Sequence, residues 1–478
     1  ANVRGVEGIK FMIEDSLRTP LKIYFMIPSC VPSTNLETSG AKIGLKEIEE
    51  LKKVKQILGL GEVMNFPGVI KGEESIIAKI KACEDMVIDG HAPGLRGEEL
   101  CAYIAAGINS DHESVTADEA EEKLSLGMWV MIREGSTAKN LSELACIVSK
   151  GSPERVMFVT DDQHADDLLT TGHLDHVLRR AVEEGIDAVD AVRMVTIKPA
   201  EYFGLHNLGG ISPGKSASIV IVNDLEEFKA EMVFIDGKIV AKEGKYLGSI
   251  GKSIVRRAVK ETVNIGMLLP EDFKIFRREH EETQVETRVI EVIPDQIVTE
   301  EIRCKLPVEN GEVLPDLERD IVKICVVERH HGTGRIGKGF VKGFELKKGA
   351  LASTVAHDSH NIVAIGVSDD EISRAVNRLK EINGGLVAIS GSEIKCELPL
   401  PIAGLMSDRK IDFVAEKMKD LNESASDLGC NLRSPFMALS FLALPVIPKL
   451  KITDYGLVDV ERMKLVDLFI SPSDKNEK

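Results

Sequence analysis

Two histidines stand 21 residues apart in the stretch MVIDGHAPGLRGEELCAYIAAGINSDHE, residues 86–113. His91 closes the short apolar run that begins at Met86, and His112 closes a second run of the same kind. A Gly-rich turn and a helical pattern from Gly97 to about Ala106 separate them. Glu62 lies in another short run, Gly59 to Met64, and Asp161 directly follows the apolar run RVMFVT, Arg155 to Thr160. Four ligand-capable side chains therefore fall at the same end of four strands. In an α/β barrel that end carries the chemistry, because the helix-entry loops leave the last side chains of each strand facing an open mouth. Neutral imidazoles placed there suit a divalent metal. A Glu/His/His/Asp set can hold two cations: one carboxylate bridges, imidazoles fill one side, and a second carboxylate binds metal and accepts a proton from bound water. A lone histidine at a strand end is an ordinary hydrogen-bonded residue; it is the set of four that reads as a site.

Several neighbours compete for roles. Asp162 competes with Asp161, which has the advantage of directly following the strand. Glu113, beside His112, fits a proton shuttle and a salt-bridge partner equally well. His164, His173 and His176 lie beyond the last strand end, and the 173/176 pair, with Asp and Arg neighbours, reads as a solvated helix face. Glu37, in the turn ETSG, suits substrate contact or plain turn chemistry. Two further histidine-rich spots, Glu328-Arg329-His330-His331-Gly332 and His357-Asp358-Ser359-His360-Asn361, read either as surface loops or as a second site or lid.

The elements that must position these residues repeat. From Leu21 to about residue 200 the chain reads as six strand-helix units, with strands mostly as continuous apolar runs, as expected where both faces are covered. A helix is expected over Arg4–Leu17, before the first strand, and another from Leu45 to Leu58; a capping signal at Thr116–Glu119 opens the helix that Gly127 ends. Six units are two short of a closed barrel, and a doubly wound open sheet is the alternative, although no GxGxxG opens a helix after a strand. Residues 1–205 are thus expected to form the barrel-like part. Residues 206–250, rich in Gly and Pro with a turn at Asp236–Gly237, form a β-sandwich portion. Residues 251–288 are expected to be a helical connector, and 289–478 a C-terminal α+β domain with strands VKICVVE and NIVAIGV and a helix from Asp370 to Ile382. The polar tail SPSDKNEK is expected to be disordered.

Composition bounds the partners. A net charge of -17 argues against a nucleic-acid backbone or an anionic membrane surface, and aromatics at 4% leave little for base stacking. No apolar run approaches the ~20 residues of a membrane span, and no signal peptide opens the chain. Eight scattered cysteines without a CxxC pair read as reduced thiols of a cytoplasmic protein.

The motifs DGHAPGL, SDHE, FVTDD, RMVTIKPAEYFGL and PGKSAS together resemble the amidohydrolase superfamily and, within it, the adenine deaminase family. The C-terminal segments ERHHGTGRIGKGF and AHDSHNI are the parts most particular to that family, and the resemblance runs through essentially the whole chain. Ser218 stands where the superfamily usually has Asp. The resemblance implies a (β/α)8 metallo-dependent hydrolase barrel, here with about six units, a small β-sandwich and a C-terminal α+β domain. It implies two divalent metal ions, manganese or iron, with Glu62 bridging, His91 and His112 as ligands and Asp161 as metal-bound general base. The implied reaction, in purine salvage, converts adenine and water to hypoxanthine and ammonia. A metal-held hydroxide attacks C6, Asp161 takes its proton, and Glu113 is the candidate second acid. Asp161, Glu113 and His112 are the catalytic candidates; Glu37, Asp162, His357 and His360 are the substrate-binding ones; a homo-oligomer is expected. The family's His-x-His on the first barrel strand has no counterpart among the eleven histidines, which begin at His91. The sequence therefore looks like a member of the family without its N-terminal portion. Two other readings remain: a non-catalytic fragment or heteromer subunit that needs a partner chain, and a related amidohydrolase acting on another cyclic amine or amide.

Overall fold

The computed structural model describes residues 1–150, 153–249, 259–277, 283–294 and 296–470. They divide into two compact units. One comprises Ile9–Cys30 and Ile43–Ile254; the other comprises Ala1–Gly8, Val31–Lys42 and Val255–Lys478.

The first unit is built on six short parallel strands: β1 (Phe25–Pro28), β2 (Ile57–Val63), β3 (Val87–Gly90), β4 (Ser110–Asp111), β5 (Trp129–Arg133) and β6 (Val156–Val159). Ladders join β1 to β2 to β3 and β4 to β5 to β6. Between the two sets, the Asn109 amide donates to the Ile88 carbonyl at 3.1 Å. Glycine at position 90 permits this approach, since a Cβ there would lie 2.1 Å from the Ser110 carbonyl oxygen. Val130 and Ile132 of β5 and Val156 and Phe158 of β6 are buried against Leu144 and Val148 of the helix Leu141–Lys150 and Val177 and Ala181 of Leu174–Glu183. The opposite face is covered too, with Met131 and Met157 packed against Tyr202, which is why these strands read as unbroken apolar runs.

The first helix spans Gly5–Ser16. The helix expected over Leu45–Leu58 stops at Leu51, because Ile57 is taken into β2 opposite Phe25; strand pairing overrides a locally adequate helical pattern. At Thr116 only half of the capping box forms. The Thr116 side chain accepts from the Glu119 amide at 3.4 Å, while the Glu119 carboxylate turns to the Gly94 amide and Lys123. After β6 come four helices in succession, Ala165–Thr170, Leu174–Glu183, Ala188–Val195 and Ile197–Tyr202. An antiparallel sheet of β7 (Ile219–Val222), β8 (Ala230–Ile235), β9 (Lys238–Lys242) and β10 (Lys245–Tyr246) follows. Its β8–β9 turn has positive φ at both Asp236 (48°) and Gly237 (75°), as a tight two-residue hairpin requires.

The second unit centres on a nine-stranded sheet. Its strands are β11 (Gln284–Val292), β12 (Thr299–Glu309), β13 (Glu312–Val313), β14 (Ile321–Val327), β15 (Ile336–Lys342), β16 (Ala350–Ser353), β17 (Ile362–Gly366), β18 (Gly385–Ser390) and β19 (Glu393–Pro399). Their spatial order is β13-β12-β11-β15-β14-β17-β16-β18-β19, with β11 and β15 parallel and the other pairs antiparallel. Alternate residues of β14 face two cores. Val322, Ile324 and Val326 pack with Leu421, Phe436 and Leu439 from the helices Ile411–Asp427 and Pro435–Leu442. Cys325 and Val327 pack with Ile372, Val376 and Leu379 of the helix Asp369–Glu381. A three-stranded sheet, β20 (Leu450–Thr453), β21 (Gly456–Asp459) and β22 (Lys464–Val466), completes the unit.

Two expectations fail here. The expected connector has no α-helix where it is described: the element given within residues 259–277 is the 3-10 turn Pro270–Phe273, and Gln284 already begins a strand. Val263 and Ile265, and again Phe273 and Ile275, are buried at a spacing of two, an extended rather than a helical period. The rest of that connector, 251–258 and 278–282, and the tail 471–478 lie outside the described residues. The segment Val31–Lys42, expected within the barrel part, belongs to the second unit. The Thr453 hydroxyl donates to the Leu36 carbonyl at 2.6 Å, Asp454 accepts from the Thr38 amide at 2.8 Å, and Asn361 donates to the Thr38 carbonyl at 2.8 Å. All eight cysteines are free, and no described helix is long and apolar enough to cross a membrane.

Candidate metal centre

The C-terminal ends of β2, β3, β4 and β6 bring Glu62, His91, His112 and Asp161 into one unit, and Glu113 joins them. Ligand atoms of Glu62, His91 and His112 lie within 4.8 Å of one another, as do those of His112, Glu113 and Asp161. His91 Nδ1 is 3.2 Å from His112 Nε2. Glu113 Oε1 is 3.7 Å from the first and 3.6 Å from the second. Both carboxylates at the strand ends sit in left-handed backbone, Glu62 at φ 44° and Asp161 at φ 60°. For a non-glycine residue that conformation costs about 1–3 kcal/mol and persists only where the surroundings impose it.

Position alone does not set the ionisation of these groups. Burial, with the neighbouring His112, pushes the His91 imidazole down to about 3, so it is neutral near pH 7 and offers a lone pair. Burial raises the Glu113 carboxyl despite the opposing Arg133 and His112 charges. Burial also acts against ionisation of Asp161, but there the hydrogen bond from Arg133, together with the His112 and Arg133 charges, holds the carboxyl below the usual range. Two neighbouring carboxyls are thus pushed in opposite directions, a pattern that separates acid from base.

Arg133 opposes burial at both carboxyls and, with His112, outweighs it only at Asp161; it is not among the ligand-type residues that the sequence pattern lines up. Its guanidinium donates to Glu113 and, at 3.0 Å, to Asp161 Oδ2. It is the last residue of β5, at the same strand end as the four candidates, so the positional rule that found them would have found it too.

The donor set fits a divalent cation. Two imidazole nitrogens and up to three carboxylates converge from different strands, with one imidazole held neutral by burial. Asp162 is outside both ligand groups; its carbonyl accepts from the Ser136 amide at 2.9 Å. His164 forms a separate group with Asp166 and Asp167, and His173 Nε2 lies 3.3 Å from the Thr160 hydroxyl.

The remaining candidates lie in the second unit. Glu37 is buried, accepts from the Ser33 hydroxyl at 2.5 Å, and is pushed up to about 8 by burial, with the Asp358 and Asp454 charges adding to it. His357 stacks on Phe441 at 4.8 Å between ring centroids, and its ring centroid is 5.9 Å from that of His360. His330 Nε2 lies 2.7 Å from the Ser359 carbonyl. The adjacent Glu328 carboxylate gathers the His331 and Thr333 amides at 2.7 and 2.9 Å and the amide of His330. This holds the turn rather than leaving a loose surface loop.

Comparison with known proteins adds to this geometry. Residues 1–240 match the amidohydrolase family and residues 296–464 the adenine deaminase C-terminal domain. An adenine deaminase of Methanothermobacter thermautotrophicus is 49% identical over 470 residues, spanning 98% of this chain and 85% of that one. The chain belongs to the adenine deaminases of the amidohydrolase family. Other adenine deaminases agree: that of Archaeoglobus fulgidus is 48% identical over 98% of this chain and 79% of its own length, and that of Dehalococcoides mccartyi 47% over 98% and 81%. Amidohydrolases generally use divalent metal ions, which accords with the two ligand groups at the strand ends.

Proposed function

We propose that this adenine deaminase hydrolyses adenine to hypoxanthine and ammonia at the strand ends of its first unit, on a barrel scaffold to which β1–β6 belong. Glu62, His91, His112 and Asp161 would hold divalent manganese or iron, with Glu62 as the bridging carboxylate. The observation that carries this reading is the convergence of Glu62, His91, His112, Glu113 and Asp161 from four strand ends of one unit, in a chain of this family. The cation supplies a Lewis acid that makes water nucleophilic near neutral pH.

The chain's own groups do the proton work. Asp161, kept ionised by Arg133, accepts a proton from the attacking water. Glu113, whose carboxyl is raised by burial, is the acid that passes a proton to the ring and to the departing amino group. Arg133 holds the two carboxyls in register. The balance is one water consumed and one ammonia released, with the C6–N bond broken and a C6–O bond formed. No step is assigned to Glu37, His357 or His360, which belong to the second unit.

The test is ammonia release from adenine by manganese-loaded protein, with Asp161→Asn alongside. Removing the base should lower kcat by about 10²–10⁴-fold. Unchanged turnover in the variant, or release of ammonia from other aminated rings but not from adenine, contradicts the reading.

A further inference from the structure

We propose that Lys123, with Asp111 and Glu119, is the positioning device that fixes His91 against His112. This rests on the reading of those histidines as metal ligands. Lys123 lies on the helix Ala117–Ser125, not on a strand, and its side chain is fully buried. Its ammonium donates to the Ala92 carbonyl at 2.8 Å, Asp111 Oδ2 at 2.9 Å, Glu119 Oε1 at 2.6 Å and the Ser114 hydroxyl at 3.2 Å.

Each carboxylate of this cluster reaches both loops. Asp111 Oδ1 accepts from the Ala92 amide at 2.9 Å, one residue past His91, and Oδ2 accepts from the Glu113 amide at 3.1 Å and the Ser114 hydroxyl at 2.7 Å, just past His112. Glu119 accepts from the Gly94 amide at 2.8 Å on the first loop and from the Val115 amide at 3.4 Å on the second. The peptide that follows His91 is therefore tied to the residue that precedes His112, through a pair of groups that are both 0% exposed. The Ala92 peptide is gripped at its N–H and at its C=O by opposite members of that pair. Breaking it releases backbone on both sides of the ligand pair at once. Outer groups that orient metal ligands commonly change affinity by about 10–100-fold when removed.

The experiment measures Mn²⁺ affinity by competition and the Co²⁺ absorption spectrum at saturating metal, on the full chain. Lys123→Met keeps most of the length of the side chain without its charge, and Glu119→Gln keeps an acceptor for Gly94 while weakening the cluster. His91→Ala and His112→Ala control for the ligand reading, and Ile132→Val, in the neighbouring core, controls for general loss of stability. The expected result is a fall in Mn²⁺ affinity of about 10–100-fold and a shifted Co²⁺ spectrum for Lys123→Met, a smaller fall for Glu119→Gln, and no change for Ile132→Val. Wild-type affinity and spectrum in Lys123→Met overturn the proposal, provided both histidine variants lose metal. If Lys123→Met does not fold, wild-type affinity in Glu119→Gln overturns it. Full metal binding in the histidine variants overturns the ligand reading instead.

Discussion

Replacing Glu37 by Gln should make the stability of the second unit less dependent on pH. The Glu37 carboxyl is pushed from an ordinary 4.5 to about 8, chiefly by burial, and the residue is 6% exposed. A carboxyl raised in the folded state binds a proton more tightly there than in the unfolded chain. Its contribution is therefore fully present below about pH 4.5 and is lost as pH rises through about 8. Each pH unit between those values is worth about 1.4 kcal/mol, so the whole window is worth about 5 kcal/mol. Glu37→Gln is neutral throughout and still accepts from the Ser33 hydroxyl. The wild type should accordingly lose about 3–5 kcal/mol relative to the variant between pH 5 and 8. Urea unfolding of both proteins at each pH unit, followed by a signal from the second unit, measures this. A wild-type-minus-variant difference that does not change with pH refutes the argument that burial sets the proton on Glu37.

Two more outcomes follow from single contacts. Arg133→Met removes the cation shared by Glu113 and Asp161 and should lower kcat for adenine by about 10–100-fold with a smaller change in KM; steady-state kinetics read the split, and an equal rise in KM without loss of kcat argues against the role. Ser368→Ala removes the hydroxyl that accepts from the Glu371 amide at 3.3 Å at the start of the helix Asp369–Glu381 and should cost about 1 kcal/mol in urea unfolding while leaving adenine turnover unchanged.

The grouping of the candidate ligands was legible where its information is local. Glu62 lies one residue before the end of its strand, and His91, His112 and Asp161 each follow theirs by one or two residues, so strand patterning alone lines them up. The role of Arg133 was not local, because it depends on partners contributed by β4 and β6. Lys123 was hidden for a related reason: on a helix rich in Glu it reads as one more solvated charge, and only the tertiary structure buries it. The nine-stranded sheet likewise could not be ordered from sequence, since β11 pairs in parallel with β15 although β12, β13 and β14 intervene along the chain. The failed helical connector shows the opposite error, where charge content outweighed the two-residue spacing of Val263 and Ile265. Glu37 suits substrate contact or turn chemistry from its sequence, while Thr38, Leu36 and Asn361 tie its turn into the second unit through bonds that no local pattern announces.

The most direct test is an anomalous-scattering map of crystals of the manganese-loaded protein, recorded at the metal edge. The account predicts density bonded to His91 and His112 with Glu62 or Asp161 completing the ligands, and its loss in His112→Ala. Density confined to the His164, Asp166 and Asp167 group, with none at His91 and His112, would contradict it.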